Sequence, residues 1–440
     1  MSGLSLENPT NLFTAFTGKN IIPGDEIVLR SGTYSYSYVN QIVGSFDNPV
    51  IIKPYNHERV IINGGFTESS EYITYIDIEF SSVRNPNPDD FPDTSFHDFR
   101  ALGGKYINCI FHDSNGAGCW DNVDLVYGCI SYNHGYIISG SMNYGHSLYT
   151  QNQDTNHNKT IKHSIFGRSA NFGLHGYATQ FNLENLHIVG CVLLPGSSHL
   201  LGSQKSDDNI QLIDIHSYGS LSVGYGSHDH TNILITGSIL YHAGHPLQLT
   251  KWESGNIIGN ILVSSITGSL IESDVMHYQP PTGSNGLNIN NNVYYSRTGK
   301  SSCFATDGVP PYWMDINTWN SLYGFDGNSV IFISGSSPND SIYVYPNEYA
   351  SISKRKGMII IHNWTKKNSV DVDISSLPVS VGNTYSLRQA QNPIEDIRVG
   401  VVPDNNIITI NMSGTIASVS GWNDPVSTFP EFGAFMLEIT

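Results

Sequence analysis

The chain has 440 residues, of which only 13% are charged, and it carries a formal net charge of −17. It has no cluster of Lys and Arg to neutralise phosphates and no apolar run of about 18 residues, so neither nucleic acid nor membrane is an expected partner. The five cysteines are odd in number and form no CxxC pair, which argues against a zinc site or a disulfide framework.

In chain order, "NPTNLFTAFTG" reads as a short amphipathic helix, with Thr10 or Asn8 as its N-cap and Leu12, Phe13 and Phe16 turned inward. Such a helix would close the first rung of a stacked fold. The runs "GDEIVLRSGTYSY", "NPVIIKPYN" and "RVIINGG" follow, β-branched and punctuated by Gly, Pro and Asn. Short strands then recur, and Cys109, Cys129, Ser164, Cys191, Ile215, Ser238, Asn260 and Asn292 fall into one column at spacings of 20 to 35 residues. A second column, Leu148, Leu174, Leu200, Val223, Leu247 and Leu270, keeps step at 23 to 26 residues. Two columns in step are the mark of a parallel β-solenoid, in which no rung buries its own apolar face and each must stack. Stacked rungs lie about 4.8 Å apart, so the aligned cysteines are read as free thiols and not as a disulfide.

The repeat fades after Tyr295. A Pro-Pro break and a helical turn over 315–323 lead into alternating strands without the period, such as "GMIIIHNW" and "FGAFMLEI". The expected organisation is a parallel β-helix with an N-terminal cap over 1–305, a connecting segment over 306–327 and an antiparallel β-sandwich over 328–440 that caps and rigidifies.

Alternation along the strands sends Tyr149 and His175 outward, then Gln151 and Tyr177, with Lys205, His228 and Trp252 at the strand ends. Aromatic faces among amides and ionisable groups are what a sugar groove needs. Asp229 and Glu253 fall on adjacent rungs, about 5 Å apart, the separation used in retaining glycosidases. Asp207 with Glu253 spans two rungs, about 9 to 10 Å, near the inverting limit. "HDH" at 228–230 offers two imidazoles to a metal only if the segment stays extended. His175 sits between glycines in "FGLHGYA", which leave room for another backbone or for a ligand.

The opening "GDEIVLRSGTYSY" with "NPVIIKPYNHERVIINGG", and the later "QKSDDN", resemble the chondroitinase-B and alginate-lyase type of polysaccharide lyases, within the pectate-lyase-like right-handed β-helices. The resemblance implies an all-β, right-handed parallel β-helix over residues 20 to 300 and makes Lys205 of the Lys-Ser-x-x-Asn turn the catalytic base. It also implies an arginine one rung later, where this chain has Gly224, Tyr225 and Gly226. The acidic calcium ligand expected before the Lys-Ser turn is replaced by His199, Leu200 and Leu201. The closing "TFPEFGAFMLEI" looks like the last strand of β domains appended to secreted carbohydrate-active β-helices.

Three functions compete on this reading. A glycoside hydrolase acting through Asp229, Glu253 and Asp207 is placed first, because the net charge is acidic and the arginine is missing. The alternatives are a lyase using Lys205 with His175, and a non-catalytic glycan-binding adhesin like a phage tailspike. Tyr149, Gln151, Tyr177, His228 and Trp252 would bind the polysaccharide. A divalent cation such as calcium is the one cofactor under consideration, and homo-oligomerisation stays open. The N-terminus lacks the basic-then-apolar order of a secretory signal, yet an extracellular location is the expectation for such a substrate.

Overall fold

The computed structural model describes residues 9–439 except 18–20, 36–41, 64–65, 69, 83–96, 100–101, 115, 117, 122, 137–144, 152–157, 197, 266–273, 284, 308–311, 334 and 419–426. Three long sheets run the length of a parallel β-helix, each rung giving one strand to each sheet in turn. The first sheet runs from Glu26–Leu29 to Gly286–Asn290, the second from Gly32–Ser35 to Val330–Phe332, and the third from Phe66–Glu68 to Phe304–Thr306. Tyr312–Met314 closes the third sheet as an antiparallel strand. The solenoid therefore extends past residue 305, since Val330–Phe332 pairs in parallel with Val293–Ser296.

Alternation explains the core. Ile161, Ile188, Leu212, Ile235, Ile257 and Ile289 stand directly above one another in the first sheet, none more than 1% exposed. Burying each such side chain stabilises the stack by about 1.5–3 kcal/mol. No rung obtains this without its neighbours.

The corner between the first and second sheets is a single left-handed residue. Asp77, Asn108, Gly128, His163, Gly190, Asp214, Gly237, Gly259 and Asn291 occupy it on successive rungs, with φ between 48° and 69°. All but His163 are the residue types that tolerate this region. The next residue points inward and forms the expected column, from Cys109 to Asn292, each at most 1% exposed. Its polar members bind the backbone of adjoining rungs: Asn260 Nδ2 donates to Ile235 O at 2.9 Å and Asn292 Nδ2 to Ile257 O at 2.9 Å. Burial pushes the Cys191 thiol up to about 12, and Cys109, Cys129 and Cys191 are free.

Both ends of the stack are covered. The N-terminal helix Leu12–Thr17 buries Leu12 and Phe16, and its cap is Asn11, whose Oδ1 accepts from Thr14 N at 2.7 Å, in place of Thr10. Asn8 lies outside the described residues. At the other end the helix Ile316–Tyr323 is capped by Asp315 and terminated by left-handed Gly324. Its Trp319 is fully buried against Phe304, and Trp319 Nε1 donates to Asp326 at 2.8 Å.

The C-terminal part is an antiparallel sandwich. Five strands, Ser341–Pro346, Arg355–His362, Phe432–Ile439, Thr384–Gln389 and Ile397–Val401, form one sheet, and Ser369–Asp373 pairs with Ile407–Asn411 in the other. In Arg355–His362, Ile359 and Ile361 face the two-stranded sheet, while Met358 and Ile360 pack on Ile110, Ile130, Ile165, Val192 and Ile239 from the outside of the second sheet. Between them His216 Nδ1 lies 3.0 Å from His362 Nε2, and Glu438, buried among Lys354, Arg388 and Arg355, is held down at about 2 by those cations against its burial. The sandwich thus covers the second sheet.

The left-handed corner gives a direct test. A Cβ at Gly237 would lie 2.2 Å from Asp214 Oδ1 at φ +66°. Gly237→Val is expected to lower stability by roughly 1–3 kcal/mol from backbone strain alone. Gly237→Asn, which accepts that φ, should lose clearly less; equal urea midpoints for the two variants would contradict the strained corner.

Candidate functional site

The outward column of the third sheet carries the candidate face. Strand register aligns Tyr149, His175, Leu200, Ser222, Gln248 and His277 across six rungs. The register slips by one within Phe172–Gly176, so Leu200 pairs with His175 and not with Leu174. This corrects the second column: Leu200 lies on the outer side, while Leu201 joins Val223 and Leu249 in the core. Leu270 lies outside the described residues.

Aromatic rings dominate the upstream half of this face. The His175 imidazole stacks on Phe172 at 4.4 Å and on Tyr177 at 5.3 Å, and meets Tyr149 edge-on at 4.9 Å. His146 lies 4.4 Å from it, and Tyr177 meets Tyr225 at 5.5 Å. Gln151 Nε2 donates to Tyr149 Oη at 3.1 Å, and Gln204 Nε2 donates to Tyr177 Oη at 2.8 Å. Burial pushes His146 down to about 4 and His175 down to about 2, the latter helped by His146. Both imidazoles are therefore neutral, and His175 supplies no positive charge at neutral pH. Its flanking glycines serve the next rung: a Cβ at Gly173 would lie 2.4 Å from the His199 ring, and one at Gly176 2.9 Å from Leu201.

Lys205 stands on the turn after Ser198–Leu201, exposed, its side chain in no ion pair with a described residue. The turn is built by Asp207, which is 1% exposed and accepts from Leu183 N at 2.8 Å, Ser203 N at 2.9 Å and Ser203 Oγ at 2.5 Å. Lys205 N donates in turn to Ser203 Oγ at 3.0 Å. Asp207 is thus a positioning group. Both its oxygens are spent and out of reach of substrate, so it is corrected as a catalytic candidate.

The other candidates separate. Trp252 is fully buried, its Nε1 donating to Val223 O at 3.1 Å and its ring 5.1 Å from His230, so it belongs to the core and cannot stack on a sugar. His228 is exposed whereas His230 is fully buried under Asp207, so the two do not converge on a metal. Asp229 and Glu253 do approach one another: a Cβ on Gly283 would lie 2.0 Å from Glu253 Oε1 and 3.7 Å from Asp229 Oδ2. Asp229, however, accepts from Thr282 N at 3.0 Å, from Thr282 Oγ1 and from Gly283 N at 3.1 Å. These hydrogen bonds hold it below the usual carboxylate range although burial opposes them, the state of a loop anchor more than of a proton donor.

Gly224, one of the three residues at 224–226, has no room for a side chain. A Cβ at Gly224 would lie 2.2 Å from Thr250 O, at φ +89°, so the backbone of the next rung occupies the space. Tyr225 is 42% exposed there. His199 is fully buried, and its Nδ1 accepts from Leu174 N at 3.0 Å.

The histidine pair gives a pH test. Unfolded histidines titrate near 6.5, so below about that pH the unfolded chain binds protons that His146 and His175 refuse. Stability is fully present above about pH 6.5 and falls as pH drops toward 4, by about 2 kcal/mol per histidine at pH 5. A variant with Phe at both positions should lose less stability between pH 7 and 5 in urea titrations. An acid profile identical to the parent would show that the rings are not held neutral.

No protein-family model matches the chain, and no curated protein does. Among solved structures it is similar to a mannuronic acid specific polysaccharide family 6 lyase from human gut microbiota, at 12% identity and a TM-score of 0.37, over 70% of this chain and 91% of that one. It is also similar to pectate lyase Pel9A, at 14% identity and 0.31, over 66% and 74% of the two chains. For the PL6 family alginate lyase AlyGC the values are 10% and 0.28, over 70% and 55%. The parallel β-helix itself rests on the strand pairing given above.

Proposed function

We propose that the chain cleaves a uronate-containing polysaccharide by β-elimination on the outer face of the third sheet, with Lys205 as the base. The carrying observation is the Lys205 turn: an exposed amine with no ion-pair partner among the described residues, on a turn locked by Asp207, next in sequence to the Gln204 that binds Tyr177. Tyr149, Tyr177 and Tyr225 supply faces for sugar rings, and Gln151 and Gln204 supply amides for hydroxyls. In the reaction Lys205 takes the proton α to the carboxyl, the electron pair forms the new double bond, and the glycosidic oxygen leaves with a proton from a tyrosine or water.

The carboxylate next to the forming carbanion needs a positive partner. Neutral His175 does not provide it. We assign this role to Lys251, whose Nζ donates to Ser227 O at 2.9 Å and so reaches onto the neighbouring turn. In a chain of net charge −17, such local cations must offset the general field for a polyanion to dwell there. An extracellular setting fits this substrate and is proposed with it.

Hydrolysis has one observation in its favour, the approach of Glu253 and Asp229 around Gly283, which the assay separates. Incubation with uronate-containing and neutral polysaccharides should produce an unsaturated, ultraviolet-absorbing uronate only from the former. Lys205→Ala should lower that rate by about 10²–10⁴-fold, with Glu253→Ala nearly unaffected. Reducing ends without the chromophore, lost in Glu253→Ala, would establish the hydrolase instead; binding without either product would leave a glycan binder.

A further inference from the structure

At the downstream end of the same face three side chains meet that none of the reactions above uses. His245 lies on the turn before Leu247–Thr250, Asp274 just before Met276–Gln279, and His277 on that strand, one rung beyond Gln248 in the outward column. One ligand atom from each lies within 4.8 Å of the other two. His245 Nδ1 is 2.9 Å and His277 Nδ1 3.4 Å from Asp274 Oδ2. Donors bonded at about 2.0–2.1 Å to one tetrahedral ion sit about 3.3 Å apart, so these separations fit a shared ion.

Two further observations point to a ligand. Asp274 is fully buried, its Oδ2 is in hydrogen-bond range of His277 Nδ1 at 3.4 Å, its Oδ1 has no hydrogen-bond partner, and no Lys or Arg among the described residues pairs with it. A carboxylate so placed is costly unless a cation answers it. His245 Nδ1, although 2.9 Å from Asp274 Oδ2, makes no hydrogen bond either, which leaves it available to a third partner. The surroundings suit a metal as well. His277 Nε2 lies 2.7 Å from Asp307 Oδ1, the carboxylate contact that orients a ligating imidazole, and His242 Nδ1 accepts from Gly244 N at 3.1 Å, fixing the turn that carries His245.

We infer that His245, Asp274 and His277 bind a divalent transition metal of the Zn²⁺ class, with one coordination position open to solvent on the groove side. Two imidazoles and a single carboxylate select such an ion over Ca²⁺ or Mg²⁺, which require more oxygen ligands. The buried carboxylate forms the floor, and the His245 side chain, 40% exposed, forms the lip through which the ion enters. The centre spans the second and third rungs after Ser198–Leu201, about 10–14 Å along the axis, so it stands apart from the base and can hold an oxygen of the same bound polymer. The inference does not depend on how the polymer is cleaved.

The test uses the full chain stripped by chelator and titrated with Zn²⁺ and with Co²⁺. One equivalent should bind, the thermal midpoint should rise, and Co²⁺ should show the visible absorption of a four-coordinate N/O site. His245→Ala and His277→Ala should each weaken binding at least tenfold, and Asp307→Ala by about 10–100-fold. His245 is exposed enough for its variant to fold, which circular dichroism checks. Absence of stoichiometric binding, preference for Ca²⁺, or unchanged affinity in both histidine variants would overturn the site.

Discussion

One left-handed residue per rung is the constraint on which the rest depends. At nine consecutive corners, from Asp77 to Asn291, the chain turns from the first sheet to the second through a single residue of positive φ. The N–H of such a residue donates to the following rung, as Asn108 N does to Tyr127 O at 2.7 Å and Gly190 N to Ile213 O at 2.9 Å. A corner of fixed length keeps every rung in phase. The inward columns then superpose, and apolar burial accumulates along the axis without any rung being stable alone. Where side chains at the corner are polar they lean over the next glycine, which is why Asp214 and Gly237, or Asn108 and Gly128, follow one another.

Keeping phase also sorts the outer surfaces. The second sheet presents Ile110, Ile130, Ile165, Val192 and Ile239 outward, an apolar stripe that has to be covered, and the C-terminal sandwich covers it. The third sheet presents Tyr149, His175, Ser222, Gln248 and His277 in the corresponding column, a stripe that water tolerates and a sugar chain can use. The sandwich therefore shapes function by the sheet it occupies. Hydrogen bonds as well as burial tie it to the solenoid: Ser353 Oγ donates to Asp77 Oδ1 at 2.6 Å, and Arg355, itself paired with the buried Glu438, donates to Gly128 O.

How far the sequence was legible follows the same geometry. The Cys109 to Asn292 column was readable because it sits beside the corner, where no residue is inserted on any rung. The third-sheet column was readable only as far as Leu174. Inside Phe172–Gly176 the register shifts by one, and a one-residue slip exchanges inner and outer faces, so Leu200 and Leu201 trade places. Trp252 was misplaced for a related reason: the segment after each third-sheet strand leaves the pleat, and alternation no longer says which way a side chain points. Lys205 was singled out both by the outward column and by its Lys-Ser turn. The Asp207 beside it looked like an acid in sequence, and only its three donors reveal it as the brace of that turn. The meeting of His245 with Asp274 and His277 was invisible, because 29 residues of chain separate the first two and no short spacing announces them.

The histidines make the last point about how this scaffold allots roles. His199, His216, His230 and His362 are fully buried and hydrogen-bond to backbone, to each other or, for His216 Nε2, to Tyr345 Oη at 3.0 Å, acting as polar staples within an apolar stack. His146 and His175 are buried by rings alone, so desolvation holds them neutral and turns them into aromatic platforms. His245 and His277 differ from both groups in sharing one carboxylate, Asp274, with the His245 side open toward solvent. What separates staple, platform and ligand is what packs against each imidazole: a backbone N–H, aromatic rings or Asp274. In a stacked fold those neighbours come from adjoining rungs as well as from the residue's own strand, so function on such a surface has to be read across the strands as well as along them.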